Sequence, residues 1–161
     1  MSVVRSLDVF LPRLLELGRG HIVNVASVAG LLLYAANRLP YVTSKAALVG
    51  LTESLALYLP PRGVGVTCFC PSAVESNIMS GVKNWSPGAP MQGLGSHYVV
   101  KQPDEAARVL ADGMEEGRVM VLSDDRIWDD VLRHAMDPDR FIAEKISAFS
   151  SGDLGVPEPP R

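Results

Sequence analysis

The sequence predicts an α/β fold in which at least three parallel strands are flanked by helices. Helical and strand-like segments alternate along most of the 161 residues, and this order is typical of parallel βαβ units. The strand-like segments are short, mainly apolar and rich in β-branched residues, as expected for strands that are buried on both faces. With 47% apolar and 20% charged residues, the chain can fill a packed core.

Glycine and proline mark the ends of most of these segments, which makes the boundaries readable. The helices are predicted at residues 2–18, 41–59, 103–116, 126–135 and 138–149, and the strands at 21–26, 65–70 and 118–122.

Each helix has its own signal. The first repeats leucine and valine at helical spacing, and Pro12 inside it predicts a kink or a local weakening. The second is rich in Ala and Leu and is closed by Pro60 and Pro61. The third begins at Pro103 and carries acidic residues in its first turn, which suits a helix N-terminus. The last two are expected on the surface.

Two segments lack a regular pattern. Residues 72–98 are rich in Gly, Pro, Ser and Met, and so long a loop within a compact domain is usually functional or mobile. Residues 150–161 contain two glycines and three prolines and are expected to form a disordered tail. The sequence therefore predicts one domain over residues 1–149.

Composition excludes several classes of function. The net charge of −3 argues against nucleic acid as a partner, and no apolar run reaches the roughly 20 residues of a membrane span. Cys68 and Cys70 would point the same way on a strand yet lie too far apart to bridge easily. The three histidines are scattered without metal-ligand spacing, so no metal is expected. A cytoplasmic protein without disulfides is predicted.

Tyr41 and Lys45 are the first residues that could carry chemistry. They lie four residues apart near the start of a helix and therefore share one face. An ammonium beside a phenol favours the phenolate, and such a tyrosine can exchange a proton near neutral pH. The pair alone could equally be two residues on a helix surface.

Ser27 and Pro71 strengthen the case for a site. Each directly follows a predicted buried strand, at the carboxyl edge where parallel sheets place their ligands. The Ser27 hydroxyl could hold a carbonyl oxygen of a substrate, although taken alone it could simply cap a turn. The segment after Pro71 could offer backbone groups to a ligand at the same edge.

Taken together, these motifs resemble the active-site half of a classical short-chain dehydrogenase/reductase. The motifs are GHIVNVASVAG at 20–30, YVTSK at 41–45, AALVGLTESLA at 46–56 and the proline at the end of the second strand. The resemblance covers about residues 2–149. It implies an incomplete Rossmann-type doubly wound parallel sheet, namely its back half with about three strands.

The resemblance also implies roles and a reaction. Tyr41 would be the proton donor or acceptor, Lys45 would hold the ribose of the nicotinamide cofactor, and Ser27 would orient the substrate oxygen. The cofactor pocket would include Tyr41, Lys45, Pro71, Val74 and Ser76. The implied reaction is hydride transfer between NAD or NADP and an alcohol/carbonyl pair.

The sequence departs from the family pattern in two ways. Ser72 stands where the family usually has glycine. The glycine-rich, pyrophosphate-binding turn and the family's catalytic asparagine have no counterpart, so we expect a truncated product or a misplaced start. The residues that select NAD or NADP would lie in that absent half, and this chain alone is expected to bind dinucleotide weakly or not at all.

The 72–98 loop supplies the candidate substrate contacts. Trp85, His97 and Tyr98 could touch substrate, and the tryptophan with Met79 and Met91 indicates an apolar small molecule. These side chains could instead pin the loop onto the core, and the histidine could be a solvated loop residue. A small-molecule alcohol or carbonyl compound is thus the expected partner.

The resemblance further implies a homo-oligomer, because the helices matching 2–18 and 41–59 pair with their copies in that family. Both helices carry apolar residues on more than one stripe, as a helix covered on two sides would. The alternative function is a non-catalytic half-domain that acts as an interaction or dimerisation module.

Overall fold

The computed structural model describes residues 2–32, 37–81, 88, 92–93, 95, 98–153 and 155–156. Within these residues the chain forms five α-helices and three β-strands. The helices are α1 (Ser2–Leu17), α2 (Leu39–Tyr58), α3 (Pro103–Glu115), α4 (Ile127–Met136) and α5 (Pro138–Ser150), and the strands are β1 (Gly20–Val25), β2 (Val64–Cys70) and β3 (Met120–Leu122). Short 3₁₀ helices occupy Val28–Gly30, Pro60–Arg62 and Asn77–Gly81.

The three strands form one parallel sheet in the order β1-β2-β3. Gly20 pairs with Val64 at the start of the β1–β2 ladder, and Cys70 pairs with Leu122 at the end of the β2–β3 ladder. The predicted α/β class, the parallel pairing and the partial doubly wound sheet are confirmed. All predicted helices and strands are present, with boundaries shifted by at most two residues.

Helices cover both faces of the sheet. Successive side chains on a strand point to opposite faces, so neighbouring residues of β2 pack into different cores. Cys68 and Cys70 of β2 face a core that contains Val49 of α2. Phe69, between them, faces the opposite core with Ala106 of α3. The sheet is therefore covered on both sides, which explains why its strands are mainly apolar.

Local sequence explains where the helices begin and how they continue. α3 starts at Pro103, and the Glu105 carboxylate accepts a hydrogen bond from the backbone N–H of Gln102 at 3.0 Å. That bond satisfies a donor ahead of the first turn. Pro12 lies inside a continuous α1, although it cannot donate to the carbonyl of Asp8. No helix among the described residues is both long and apolar enough to cross a membrane.

One tight contact joins the loop that precedes β1 to the loop that precedes β2. Gly63 ends the 3₁₀ helix before β2 with a φ of 79°, in the left-handed region. A Cβ at this position would overlap the carbonyl oxygen of Gly18, which follows α1. Both the backbone angle and the space therefore require glycine here.

Strand β1 is an edge of the sheet: among the described residues, β2 is its only neighbour. Val25 near its end is 51% exposed. An exposed apolar edge is a template for pairing with other chains.

We expect Val25→Lys to reduce aggregation of the chain severalfold, because an edge lysine opposes pairing with another strand. Light scattering during concentration measures the effect. The matched control is Ile146→Lys, which places the same charge on an exposed position of α5. Equal improvement by both variants would attribute the effect to net charge and contradict a role for the edge.

Candidate functional site

The carboxyl ends of the three strands bring three loops together at one edge of the sheet. Ser27 follows β1, Pro71 follows β2 and Ser123 follows β3. The N–H of Val28 donates to the carbonyl of Pro71 at 3.1 Å. The N–H of Ser72 donates to the Ser123 hydroxyl at 2.9 Å. The predicted convergence of the first two loops is thus observed, and the third loop joins them.

Ser27 is held in place by the short helix that follows it. It is the N-cap of the 3₁₀ helix Val28–Gly30, and its Oγ accepts a hydrogen bond from the N–H of Ala29 at 3.2 Å. Its side chain is buried. The capping role considered for this serine is therefore observed. A hydroxyl that accepts one bond can still donate its proton, so this capping does not preclude a bond to a substrate oxygen.

Tyr41 and Lys45 lie in the first turns of α2, on the side that faces the end of β1. The Lys45 ammonium donates to the carbonyl oxygen of Val25 at 2.9 Å. The same Nζ lies 5.8 Å from the centroid of the Tyr41 ring. Lys45 thus joins the tyrosine to the strand that ends two residues before Ser27.

The loop after Ser27 packs directly on the backbone of α2. A Cβ on Gly30 would lie 2.7 Å from the carbonyl oxygen of Lys45, closer than real Cβ atoms come. Only glycine therefore lets the 3₁₀ helix approach α2 this closely. Sequence analysis did not single out Gly30, and its signal was only its place within the 20–30 motif.

The side chain of Ser72 contacts the residue that follows the neighbouring strand. Its Oγ lies 3.0 Å from the Oγ of the buried Ser123. The departure from glycine at this position is thus matched by a partner on the neighbouring strand end. Sequence analysis missed Ser123, although the reasoning applied to Ser27 and Pro71 would have found it: the residue directly follows the third strand.

Val74 and Ser76 continue the chain away from β2. Val74 forms a parallel bridge with Lys101, just before α3, and packs against the core on the α3 face. Ser76 is exposed, and its Oγ accepts the N–H of Ile78 at 3.4 Å. The cofactor-binding roles predicted for Pro71, Val74 and Ser76 remain predictions.

The substrate-loop candidates have different outcomes. Trp85 and His97, like Met91, lie outside the described residues. Tyr98 is described and is only 1% exposed, packed in the same core as Cys68. In this structure it offers almost no surface to a substrate.

The Tyr98 hydroxyl is directed to α4. It donates to the Asp130 carboxylate at 3.3 Å. Burial and the neighbouring charge of Asp130 raise the pKa of this phenol well above its ordinary value. Tyr98 therefore anchors the segment before α3 to the C-terminal helices.

A groove of about 840 Å³ lies along the outer side of Lys45. Its walls are the start of α1, the first half of α2 and Val25 at the end of β1. The lining is mainly apolar: Val3, Val4, Val25, Leu39, Pro40, Ala47, Leu48 and Leu51, with Ser2, Thr43, Ser44 and Lys45 as its polar members. This groove borders the exposed sheet edge rather than Ser27.

Comparison with known proteins gives consistent results. The model of a family described as short chain dehydrogenase matches residues 1–87, slightly more than half of the chain. Dehydrogenase/reductase SDR family member 6 of Danio rerio is 40% identical over 75 residues, covering 47% of this chain and 31% of that protein. This chain therefore spans about a third of the length of that relative.

Solved structures agree with the sequence comparison. A short chain dehydrogenase/reductase from Burkholderia phymatum in complex with NAD superposes with a TM-score of 0.66 at 27% identity, covering 85% of this chain and 54% of that one. A short-chain dehydrogenase from Sphingobium yanoikuyae in complex with NADPH gives 0.54 at 25% identity, covering 80% and 48%. The chain spans about half the length of these structures.

Proposed function

The chain belongs to the short-chain dehydrogenase family, and from this we propose that it carries the active-site part of an oxidoreductase that interconverts an alcohol and a carbonyl. One observation carries the proposal. Lys45 contacts the carbonyl end of β1 and lies 5.8 Å from the centre of the Tyr41 ring. A phenol, an ammonium and a serine hydroxyl are thereby gathered around one sheet edge.

The proposed chemistry divides the work between the chain and NAD or NADP. The cofactor, when bound, supplies or accepts the hydride. Tyr41 donates a proton to the carbonyl oxygen in reduction and removes it from the alcohol in oxidation. Ser27 orients that oxygen with its hydroxyl proton.

The residues at the edge suit the ribose and nicotinamide of such a cofactor. Lys45 has three N–H donors and, within the described part of the chain, uses one on Val25, so two are available for ribose hydroxyls. Pro71, Val74 and Ser76 would line the nicotinamide side. The two structures compared above contain NADPH and NAD, respectively, which supports this class of cofactor without choosing between them.

A titration with NADH and with NADPH tests the proposal, with nicotinamide fluorescence as the signal. We expect weak, saturable binding, because these residues contact only one end of a dinucleotide. Lys45→Met should abolish it, whereas the control Lys145→Met on α5 should not. Cofactor binding that Lys45→Met leaves unchanged would contradict the proposal.

An interaction module is the second candidate, and the open edge of β1 favours it. The apolar groove of about 840 Å³ lies beside that edge. A strand and a helix of another polypeptide would bury both features. This candidate predicts a folded chain that binds no dinucleotide.

We also propose that the chain self-associates through α1 and α2. The described part of α1 has no fully buried residue, and Phe10 in it is 65% exposed. Leu57 at the end of α2 is 86% exposed. Apolar side chains on these faces are suited to a second copy of the chain.

We expect a dimer or larger species in sedimentation at micromolar concentration. Phe10→Glu should shift it toward monomer, because a carboxylate in an apolar contact is costly to desolvate. Met136→Glu, at an exposed position of α4, is the matched control. A wild-type monomer would refute the self-association.

The proposed substrate is an apolar small molecule, supported by the tryptophan and methionines of residues 72–98 in the sequence. A cytoplasmic location is also proposed, on the basis of the short apolar runs and the two unbridged cysteines in the sequence.

A further inference from the structure

Three sulfur atoms meet in the core, directly below the ligand edge of the sheet. The Sγ atoms of Cys68 and Cys70 are 3.8 Å apart, and the Sγ of Cys70 is 3.6 Å from the Sδ of Met120. The fold makes this cluster, because residues two apart on β2 share a face and Met120 pairs with Cys68 in the sheet register. Both thiols are free.

The cluster is enclosed. Both cysteines are 0% exposed, and the methionine is half-buried. An ion held here would be surrounded by the core rather than by water.

One proton already lies between the two cysteine sulfurs, because either thiol can donate the contact that joins them. A cation that replaced this proton would contact both sulfurs.

We propose that Cys68, Cys70 and Met120 bind one soft monovalent metal ion, with Cu(I) as its biological representative. Thiolate and thioether ligands select Cu(I) among biological metals. An ion centred in a triangle of sulfurs at about 2.3 Å holds them about 4 Å apart, close to the two sulfur separations observed. The two pairs of sulfurs that share Cys70 therefore need little movement to hold the ion.

The chemistry of binding is a simple exchange. Two S–H bonds break, two protons leave to solvent, and three metal–sulfur bonds form while copper stays in the +1 state. Zinc fits less well, because it requires four ligands. Among the described residues, no three His, Cys, Asp or Glu side chains are grouped to hold a metal.

The test is anaerobic competition for Cu(I) between the reduced chain and bicinchoninate, a coloured chelator of Cu(I). We expect the chain to remove one Cu(I) per molecule, slowly, because entry to a buried site needs a local opening. Two protons should be released per ion. X-ray absorption of the loaded chain should show three sulfur neighbours and no nitrogen or oxygen.

Variants assign the ligands. Cys70→Ser should abolish uptake, and Met120→Leu should weaken it by at least the roughly tenfold that loss of a supporting group costs at metal sites. Met136→Leu removes an exposed thioether elsewhere and should change nothing. Circular dichroism establishes that each variant is folded.

The wild-type absorption spectrum decides the question even if a variant fails to fold. Absence of uptake by the wild-type chain after overnight exposure would overturn the proposal. Coordination by nitrogen or oxygen, or by fewer than three sulfurs, would overturn it as well.

Discussion

Replacing Tyr41 with phenylalanine should lower kcat for carbonyl reduction by roughly 10²–10⁴-fold, the usual contribution of a positioned proton donor. Only the hydroxyl is removed. The ring is retained, and it packs against the core beneath α2, so the fold and its melting temperature should change little. The effect is measured as steady-state oxidation of the reduced cofactor by a carbonyl compound. The protein assayed is this chain, or a longer form of it, that catalyses the reduction.

Tyr58→Phe is the matched control for this experiment. Tyr58 lies at the end of the same helix, is exposed and stacks on Arg62 at 3.8 Å. Its hydroxyl has no place in the proposed reaction, so its loss should leave kcat unchanged. A Tyr41→Phe protein with wild-type turnover would remove the tyrosine from the mechanism.

Gly63→Ala should lower the free energy of unfolding more than a Gly→Ala substitution at an open position. A left-handed backbone costs a side chain about 1 kcal/mol or more, and forcing a Cβ against the Gly18 carbonyl adds about 1–3 kcal/mol. The expected loss in the free energy of unfolding is therefore about 2–4 kcal/mol. Urea denaturation measures this loss, and the slope of the unfolding free energy against urea concentration should not change.

Gly117→Ala separates the two causes. Gly117 has a similar φ of 71°, but nothing lies within 4 Å of a Cβ built there. It should lose only the backbone contribution, about 1 kcal/mol. Equal losses at the two positions would show that the contact with Gly18 does not constrain the fold.

The fold was largely predictable because its signals are local. Each strand is a short apolar run, and prolines such as Pro60 and Pro103 mark helix boundaries within a residue or two. The pairing of strands has no local signal, since Gly20 of β1 pairs with Val64 of β2 and the whole of α2 lies between them in the sequence. Parallel order was therefore inferred from alternation of elements rather than from any pair of residues.

The site was predictable as a set of residues but not as a geometry. Spacing placed Tyr41 and Lys45 on one helix face, yet it could not show that the ammonium reaches the Val25 carbonyl. The link between Ser72 and Ser123 joins residues fifty-one apart, so no local pattern reports it. Burial of Tyr98 likewise depends on α4, which follows it in the chain.

The order of the sheet has a consequence for how the chain folds. Each strand pairs with the next one along the sequence, but every ladder bond still closes a loop of more than forty residues, as from Gly20 to Val64 or from Cys68 to Met120. Native contacts of such high contact order form slowly, whereas helices form within microseconds. The helices should therefore precede the sheet, and β1 should spend the slowest phase of folding without β2, when a chaperone has most time to bind it.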